Sequence, residues 1–413
     1  MKIKQFLLIL IIMTMAVVHG QTIQEKFDNF AKHQDSLFHQ SYKQKDVKTY
    51  QKLLSEFLHK YDKLSKTDKI NFSGYLNSAY YNLCCTYSLL DNKAMAMIYF
   101  KKSIETGFID YPNLIKDSDL VNIKKEKEFG NIVEQLRCIS DYLYILKKAK
   151  EYNLNDNRSF PNFTYQSKDN PNLVVLRNTF KLDSIAGTGN EISKIINLAH
   201  WIHNLIPHDG NHANPIVKNA LSMIAECKKN NRGLNCRGLA TVLNECYLSI
   251  GIKSRFATCL PKDSLGLDND CHVINMVYSN ELKKWIWIDP TNDAYVMNEN
   301  GELLSIEEVR ERVISGKPLI LNPDANWNHK MSTIKEEYLF NYMAKNLYIF
   351  ECPISSEYDT ETDETDKVFQ YVRLLPLDYF NQVPDKTVEK NLKSNTTIIK
   401  FKTNNPTLFW QAP

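Results

Sequence analysis

The chain has 413 residues, of which 43% are hydrophobic, 24% charged and 11% aromatic, and its formal net charge is +3. That length is too great for one small core and predicts two or three domains. The near-balanced charge offers no basic stripe, so nucleic acid is excluded as an expected partner.

In chain order, the first twenty residues have the pattern of a signal peptide. Lys2 and Lys4 form a positive start, Phe6 to Val18 is an apolar run too short to span a bilayer comfortably, and Val18 and Gly20 are small enough for a cleavage site before Gln21. The expected mature protein is secreted or periplasmic, with no membrane association after signal removal. Export also permits disulfides among the nine cysteines. An odd count leaves at least one free thiol in a monomer, and the lack of a CxxC pair argues against a zinc ribbon.

Residues 21–150 are rich in Lys, Glu, Leu and Tyr and poor in Gly and Pro, which predicts helices. The stretch 78–108 has the periodicity of two helices broken at Asp91–Asn92. Tyr80, Leu83 and Tyr87 supply bulk on the first helix, and Ala96 and Phe100 follow on the second. This pair resembles a tetratricopeptide repeat over about 30 residues. The resemblance implies a groove for a peptide or protein partner. The alternative is a helical packing domain, since a single unit cannot bury its own face.

Residues 151–172 are polar, hold two prolines and look like a linker. The segment 172–185 is strand-like. "GTGN" at 187–190 has the wrong glycine spacing for a dinucleotide fingerprint. Residues 190–206 are amphipathic at helical spacing. His200, His203, His208 and His212 fall close together in sequence but lack any metal-ligand grammar such as HExxH, so neither a metal nor a cofactor is expected.

In 235–251, Leu239, Val242, Leu243, Cys246 and Ile250 share one helical face, and Gly251 follows as a C′ residue. Cys246 is therefore a core residue. Cys236 stands at the helix start, where unpaired N–H groups and the helix dipole favour a thiolate. Strands are expected at 252–260, 271–278, 283–290, 346–353, 368–377 and 396–402. A helix with a Ser305/Glu308 capping box follows the third. The acidic run 357–366 is expected to be a solvated loop.

A thiolate nucleophile needs a base and a group that orients the base. His272 opens one strand and Asp289 ends the next. If they face each other, paired positions sum to 561 and the turn centres between Asn280 and Glu281. A carboxylate so placed can hold an imidazole in one tautomer. For the oxyanion, the Cys236 N–H is one donor, and His208, Asn231 and Asn235 are candidates for a side-chain donor. Cys259 and Cys271 end one strand and open the next, near enough either to bond or to remain free.

Together these segments resemble the transglutaminase-like superfamily. The shared features are Gly233 and Cys236 at a helix start, Gly251–Ile252 with Arg255 at a strand entry, His272 opening a strand, and Asp289–Pro290–Thr291 ending one. Two departures are the extra residue between Gly233 and Cys236 and Arg237, where cross-linking members usually carry an aromatic residue. The resemblance implies an α+β fold: a papain-like core with an antiparallel sheet (151–330), preceded by an all-α domain (21–150) and followed by a β-rich extension (331–413). It also implies Cys-His-Asp acyl chemistry, with Cys236 as nucleophile, His272 as base and acid, and Asp289 as orienter. The expected function is a cysteine peptidase or amidase acting on a protein or peptide. The alternatives are a cross-linking enzyme, or an inert scaffold that keeps the fold and binds a partner through its helical region.

Overall fold

The computed structural model describes residues 23–156, 158–262, 270–378, 383 and 385–413. The signal peptide expected over 1–20 lies outside them. The chain divides into two compact units, 1–140 and 141–413. Among the described residues no helix is long and apolar enough to cross a membrane.

The first unit is helical: α1 (Ile23–Lys43), α2 (Val47–Tyr61), α3 (Lys66–Asn71), α4 (Ser73–Leu89), α5 (Lys93–Glu105), α6 (Tyr111–Lys116) and α7 (Lys127–Ser140). The expected break between α4 and α5 occurs where Asp91 turns left-handed (φ 57°) and Asn92 caps the Met95 N–H. Tyr80, Leu83, Tyr87, Ala96 and Phe100 are all buried in one core, and the Tyr87 and Tyr99 rings stack 5.6 Å apart.

The second unit is α+β. Its helices before residue 320 are α8 (Tyr142–Lys147), α9 (Pro171–Phe180), α10 (Leu182–Ala186), α11 (Glu191–Leu205), α12 (Ala220–Asn230), α13 (Cys236–Ser249) and α14 (Ile306–Ser315), and short helical turns follow over 335–346 and Pro406–Phe409. The strands used below are β1 (Ser254–Leu260), β2 (His272–Ser279), β3 (Lys284–Ile288), β4 (Asn326–Trp327), β5 (Met331–Ser332), β6 (Ile349–Pro353), β7 (Val368–Leu374), β8 (Lys386–Lys390) and β9 (Thr397–Thr403). Seven of them form one sheet in the order β8-β9-β7-β6-β1-β2-β3. It is antiparallel except for the β7–β9 pair.

Two apolar clusters lie on the two faces of β2 and β3. Val277, Ile286 and Ile288 join the cluster that holds Leu239, Val242, Leu243 and Cys246 of α13. Ile274, Met276, Trp285 and Trp287 alternate into the other cluster. Cys246 is fully buried, as its place on the helical stripe predicts. The Ser305/Glu308 capping box is also formed.

Several expectations are corrected. The strand-like segment 172–185 is helical, being α9 and α10. Asn170 caps the Asn172 N–H, Pro171 sits at the helix start, and Leu173 and Leu176 are buried while Val174 and Val175 face out. Capping and tertiary burial override the β propensity of the two valines. The stretch 151–172 is packed rather than a linker: Asn153 N donates to Asn404 O, and Phe163 lies on the Arg255 guanidinium. The strands expected in a separate extension after 330 instead complete the sheet through the β1–β6 pair. The acidic run is not a solvated loop throughout, because Glu361 is buried.

The β2–β3 hairpin also differs in register. Asn275 faces Ile288 and Ser279 faces Lys284, so paired positions sum to 563 rather than 561. The loop spans 280–283, with Lys283 left-handed (φ 52°). A shift of two residues preserves the face on which every side chain lies. Finally, Cys259 and Cys271 are both free thiols. Cys259 pairs with His272, so the preceding Cys271 falls out of step with it on a period-2 strand.

Candidate active site

Cys236 is the first residue of α13. Asn235 caps the helix by accepting from the Gly238 N–H at 3.1 Å. Asn214 holds the cap in turn: its Nδ2 donates to Asn235 Oδ1 at 2.7 Å and its Oδ1 accepts from the Asn235 N–H at 3.0 Å. A Cβ at 238 would meet Asn214 Oδ1 at 2.7 Å, so any larger residue would have to displace the Asn214 side chain that holds the cap. The cysteine is thus placed by a helix end that the Asn235 cap and the Asn214 side chain hold through hydrogen bonds.

That sulfur is half-buried. Burial pushes its pKa up, but hydrogen bonds from His208, His272 and the Val273 N–H, with the His272 charge, pull it down further, to about 6. The thiolate is therefore the stable form at neutral pH.

His272 is buried at the start of β2, where its Nε2 lies 2.7 Å from Asp289 Oδ2. Burial favours the neutral ring. The Asp289 charge and hydrogen bond, with those of Cys236, prevail and raise its pKa to about 10. Asp289 has no exposed surface, yet its carboxylate is solvated by the protein. Besides His272, Oδ2 accepts from Tyr338 Oη at 2.6 Å and Asn292 Nδ2 at 3.0 Å, and Oδ1 accepts from the Thr291 N–H at 2.8 Å. Burial pushes this carboxyl up, but these donors outweigh it and hold it at about 2. The Tyr342 ring meets the His272 ring edge-on at 5.3 Å. Cys236, His272 and Asp289 are therefore brought together as a thiolate, an imidazolium and a carboxylate.

The three candidates for a side-chain donor separate. Asn235 is occupied as the helix cap, and Asn231 is an exposed, left-handed residue at the end of α12. His208 reaches the Cys236 sulfur. Its Nδ1 accepts from Trp327 Nε1 at 3.2 Å. An indole N–H only donates, so Nδ1 is bare and the His208 proton sits on Nε2. The other three neighbouring histidines disperse. His200 pairs with Asp293 at 2.6 Å, His203 lies between Pro290 O and Asn326 Oδ1, and His212 pairs with Asp209.

Sequence reasoning missed Tyr338, Asn292 and Trp327, and also the partner of Arg237. The Arg237 guanidinium pairs with Glu361 through two hydrogen bonds and also donates to Thr258 Oγ1 at 3.0 Å. Burial disfavours the Glu361 charge, but Arg237 and Tyr371 hold the carboxyl below its ordinary range.

Residues 179–290 match the model of the transglutaminase-like superfamily. This segment is a transglutaminase-like domain. Among solved structures, the chain is similar to one from Cytophaga hutchinsonii described as a candidate cysteine protease. The identity is 17% over 43% of this chain and 57% of that one, with a TM-score of 0.22. The match spans little more than half the length of that protein. No curated protein matches the chain. The matched part of the transglutaminase-like domain contains Cys236, His272 and Asp289, as well as His208 and Arg237. It ends before Trp327, Tyr338 and Glu361, which come to the same site from later in the chain.

Proposed function

We propose that the protein is a cysteine hydrolase that cleaves amides, acting on proteins or peptides through a thioester on Cys236. The observation that carries this reading is the convergence of His208, His272 and the Val273 N–H on one sulfur whose pKa is lowered to about 6 despite burial. Structural cysteines in the same unit go the other way: burial raises the Cys246 and Cys259 thiols well above their ordinary value.

In the proposed reaction the Cys236 thiolate attacks the substrate carbonyl carbon. A C–S bond forms and the carbonyl π pair moves to oxygen. The oxyanion is held by the Cys236 N–H, which has no i−4 partner within its helix, and by the His208 Nε2–H. Collapse breaks the C–N bond as the His272 imidazolium gives its proton to the leaving nitrogen. Neutral His272 then takes a proton from water, the resulting hydroxyl attacks the thioester, and Cys236 departs as thiolate. Asp289 keeps His272 in the orientation both proton transfers need. Hydrolysis is preferred over transamidation because water needs no docking site.

Export to a secreted or periplasmic location, through residues 1–20, belongs to the same proposal, as does a protein partner for the helical first unit. The test is the iodoacetamide labelling rate of each cysteine at neutral pH. Cys236 is expected to react fastest, and to slow when His272 is replaced by alanine. A Cys236 that labels no faster than the other exposed thiols overturns the enzyme reading.

A further inference from the structure

Beside His208 and His272 opens a cleft of about 540 Å³, in the range that takes a ligand of several side chains. Its far wall is the β4–β5 hairpin and the residues after it. Trp327 is 36% exposed there, Met331 64% and Ile334 61%. Three large apolar side chains turned to solvent at one spot lose the burial that normally recruits such residues, and a patch of this kind marks a contact site.

The hairpin is not a loose loop whose side chains happen to face out. Asn328 and His329 are both left-handed (φ 53° and 55°), the backbone of a tight primed turn, closed by Lys330 N donating to Trp327 O at 3.0 Å. The Asn328 side chain clasps the His208 backbone twice, accepting from its N–H at 2.6 Å and donating to its carbonyl at 2.9 Å. The Asn326 N–H donates to Asn292 O at 2.9 Å, and Thr333 Oγ1 donates to Asn292 Oδ1 at 3.2 Å. Asn292 also holds Asp289. The strap that carries the apolar residues is thereby bolted to the two loops that carry His208 and Asp289.

We infer that this wall is a specificity subsite that takes a bulky apolar side chain of the acyl donor, next to the amide that is cleaved. The inference rests on the proposed hydrolase reading and deepens it by naming the substrate class. What identifies the occupant is continuity. The cleft lined by Met331 and Ile334 is also lined by His208 and His272, whose imidazoles must meet the scissile amide. A chain whose carbonyl reaches Cys236 therefore lies against this wall. Apart from His272, the charged residue among those that line the cleft is Glu337, and nearby Lys330 holds its ammonium over the Trp327 ring. Aspartate or glutamate at that substrate position would lose its hydration with nothing gained from these three side chains.

The experiment uses the full chain and dipeptidyl acyloxymethyl ketones, which alkylate a nucleophilic cysteine only after docking. Each of the two positions carries leucine, phenylalanine, glycine or glutamate in turn, and iodoacetamide, which needs no subsite, is run in parallel. The expected result is labelling of Cys236 at least about tenfold faster with leucine or phenylalanine than with glycine or glutamate at one position. In the exposed variants Met331→Glu and Ile334→Glu that ratio is expected to collapse towards one. Fast iodoacetamide labelling with no apolar preference, or a preference that survives both variants, overturns the subsite and leaves the hydrolase reading standing. Slow iodoacetamide labelling of Cys236 overturns the hydrolase reading and the subsite with it.

Discussion

His272 Nε2 lies 2.7 Å from Asp289 Oδ2, although the β2–β3 ladder does not pair the two residues. Continued past Ile288, the register sets Asp289 opposite Ile274, so His272 reaches it diagonally across the same face. Diagonal neighbours are ordinarily about 7–8 Å apart at the backbone, within reach of long and aromatic side chains. The carboxylate stays on that line because Tyr338, Asn292 and the Thr291 N–H hold it.

Asp289→Asn is therefore expected to lower kcat for peptide hydrolysis by roughly 10²- to 10⁴-fold, because the amide no longer stabilises the imidazolium or fixes its tautomer. Steady-state kinetics on a peptide amide checks it. The same variant is expected to move the Cys236 labelling profile towards higher pH, since a neutral His272 no longer favours the thiolate.

The pH dependence follows from the directions of the shifts. The Cys236 pKa is lowered to about 6, so the thiolate is present above that pH and is lost as pH falls through it. The His272 pKa is raised to about 10, so the imidazolium survives up to that pH and is lost as pH rises through it. Hydrolysis is expected to show a plateau between these limits, with its acid limb near pH 6, where an unperturbed thiol would give a limb near pH 8.5. Rates measured from pH 4 to 11 check this.

His208→Ala is expected to lower kcat by about 10²- to 10³-fold, as loss of one oxyanion donor does. Alkylation by iodoacetamide passes through no oxyanion. Measured well above the thiol pKa, it is expected to fall far less than hydrolysis. Trp327→Phe removes the donor that keeps Nδ1 bare, and a smaller loss of kcat is expected. A parallel fall of alkylation and hydrolysis in His208→Ala would assign His208 to thiolate formation alone.

Glu361→Gln leaves the Arg237 guanidinium without a counter-charge beside the nucleophile. Glu361 is buried and the pair is doubly hydrogen-bonded. Removing one partner is expected to cost about 3 kcal/mol in urea unfolding, at the low end for a broken buried pair. A double-mutant cycle with Arg237→Met is expected to recover part of that loss, because both charges are then absent.

Much of this site is legible in the amino-acid sequence. The start of α13 near Cys236 follows from its apolar stripe and the glycine that ends it, whereas the Asn235 cap emerges only in the structure. The shared face of His272 and Asp289 follows from strand parity, which survives the two-residue error in register. The helical 172–185 is not legible, since its valines favour strands locally and only burial of Leu173 and Leu176 reveals the helix. The position of Glu361 in an acidic run misleads for the same reason: its arginine partner lies 124 residues away.

Local periodicity and the order of motifs suffice for the helix that starts at Cys236, for the strands that bear His272 and Asp289, and for the transglutaminase-like character they share. The remainder of the site exists only once the chain has folded. Folding places His208, rather than Asn231 or Asn235, at the Cys236 sulfur, brings Trp327 to His208 and Tyr338 to Asp289, and makes the segments after 330 part of the same sheet and the same cleft. These contacts join residues separated by tens to more than a hundred positions. Helical and strand periods run only along a segment, so they carry no information about which distant segment closes on it.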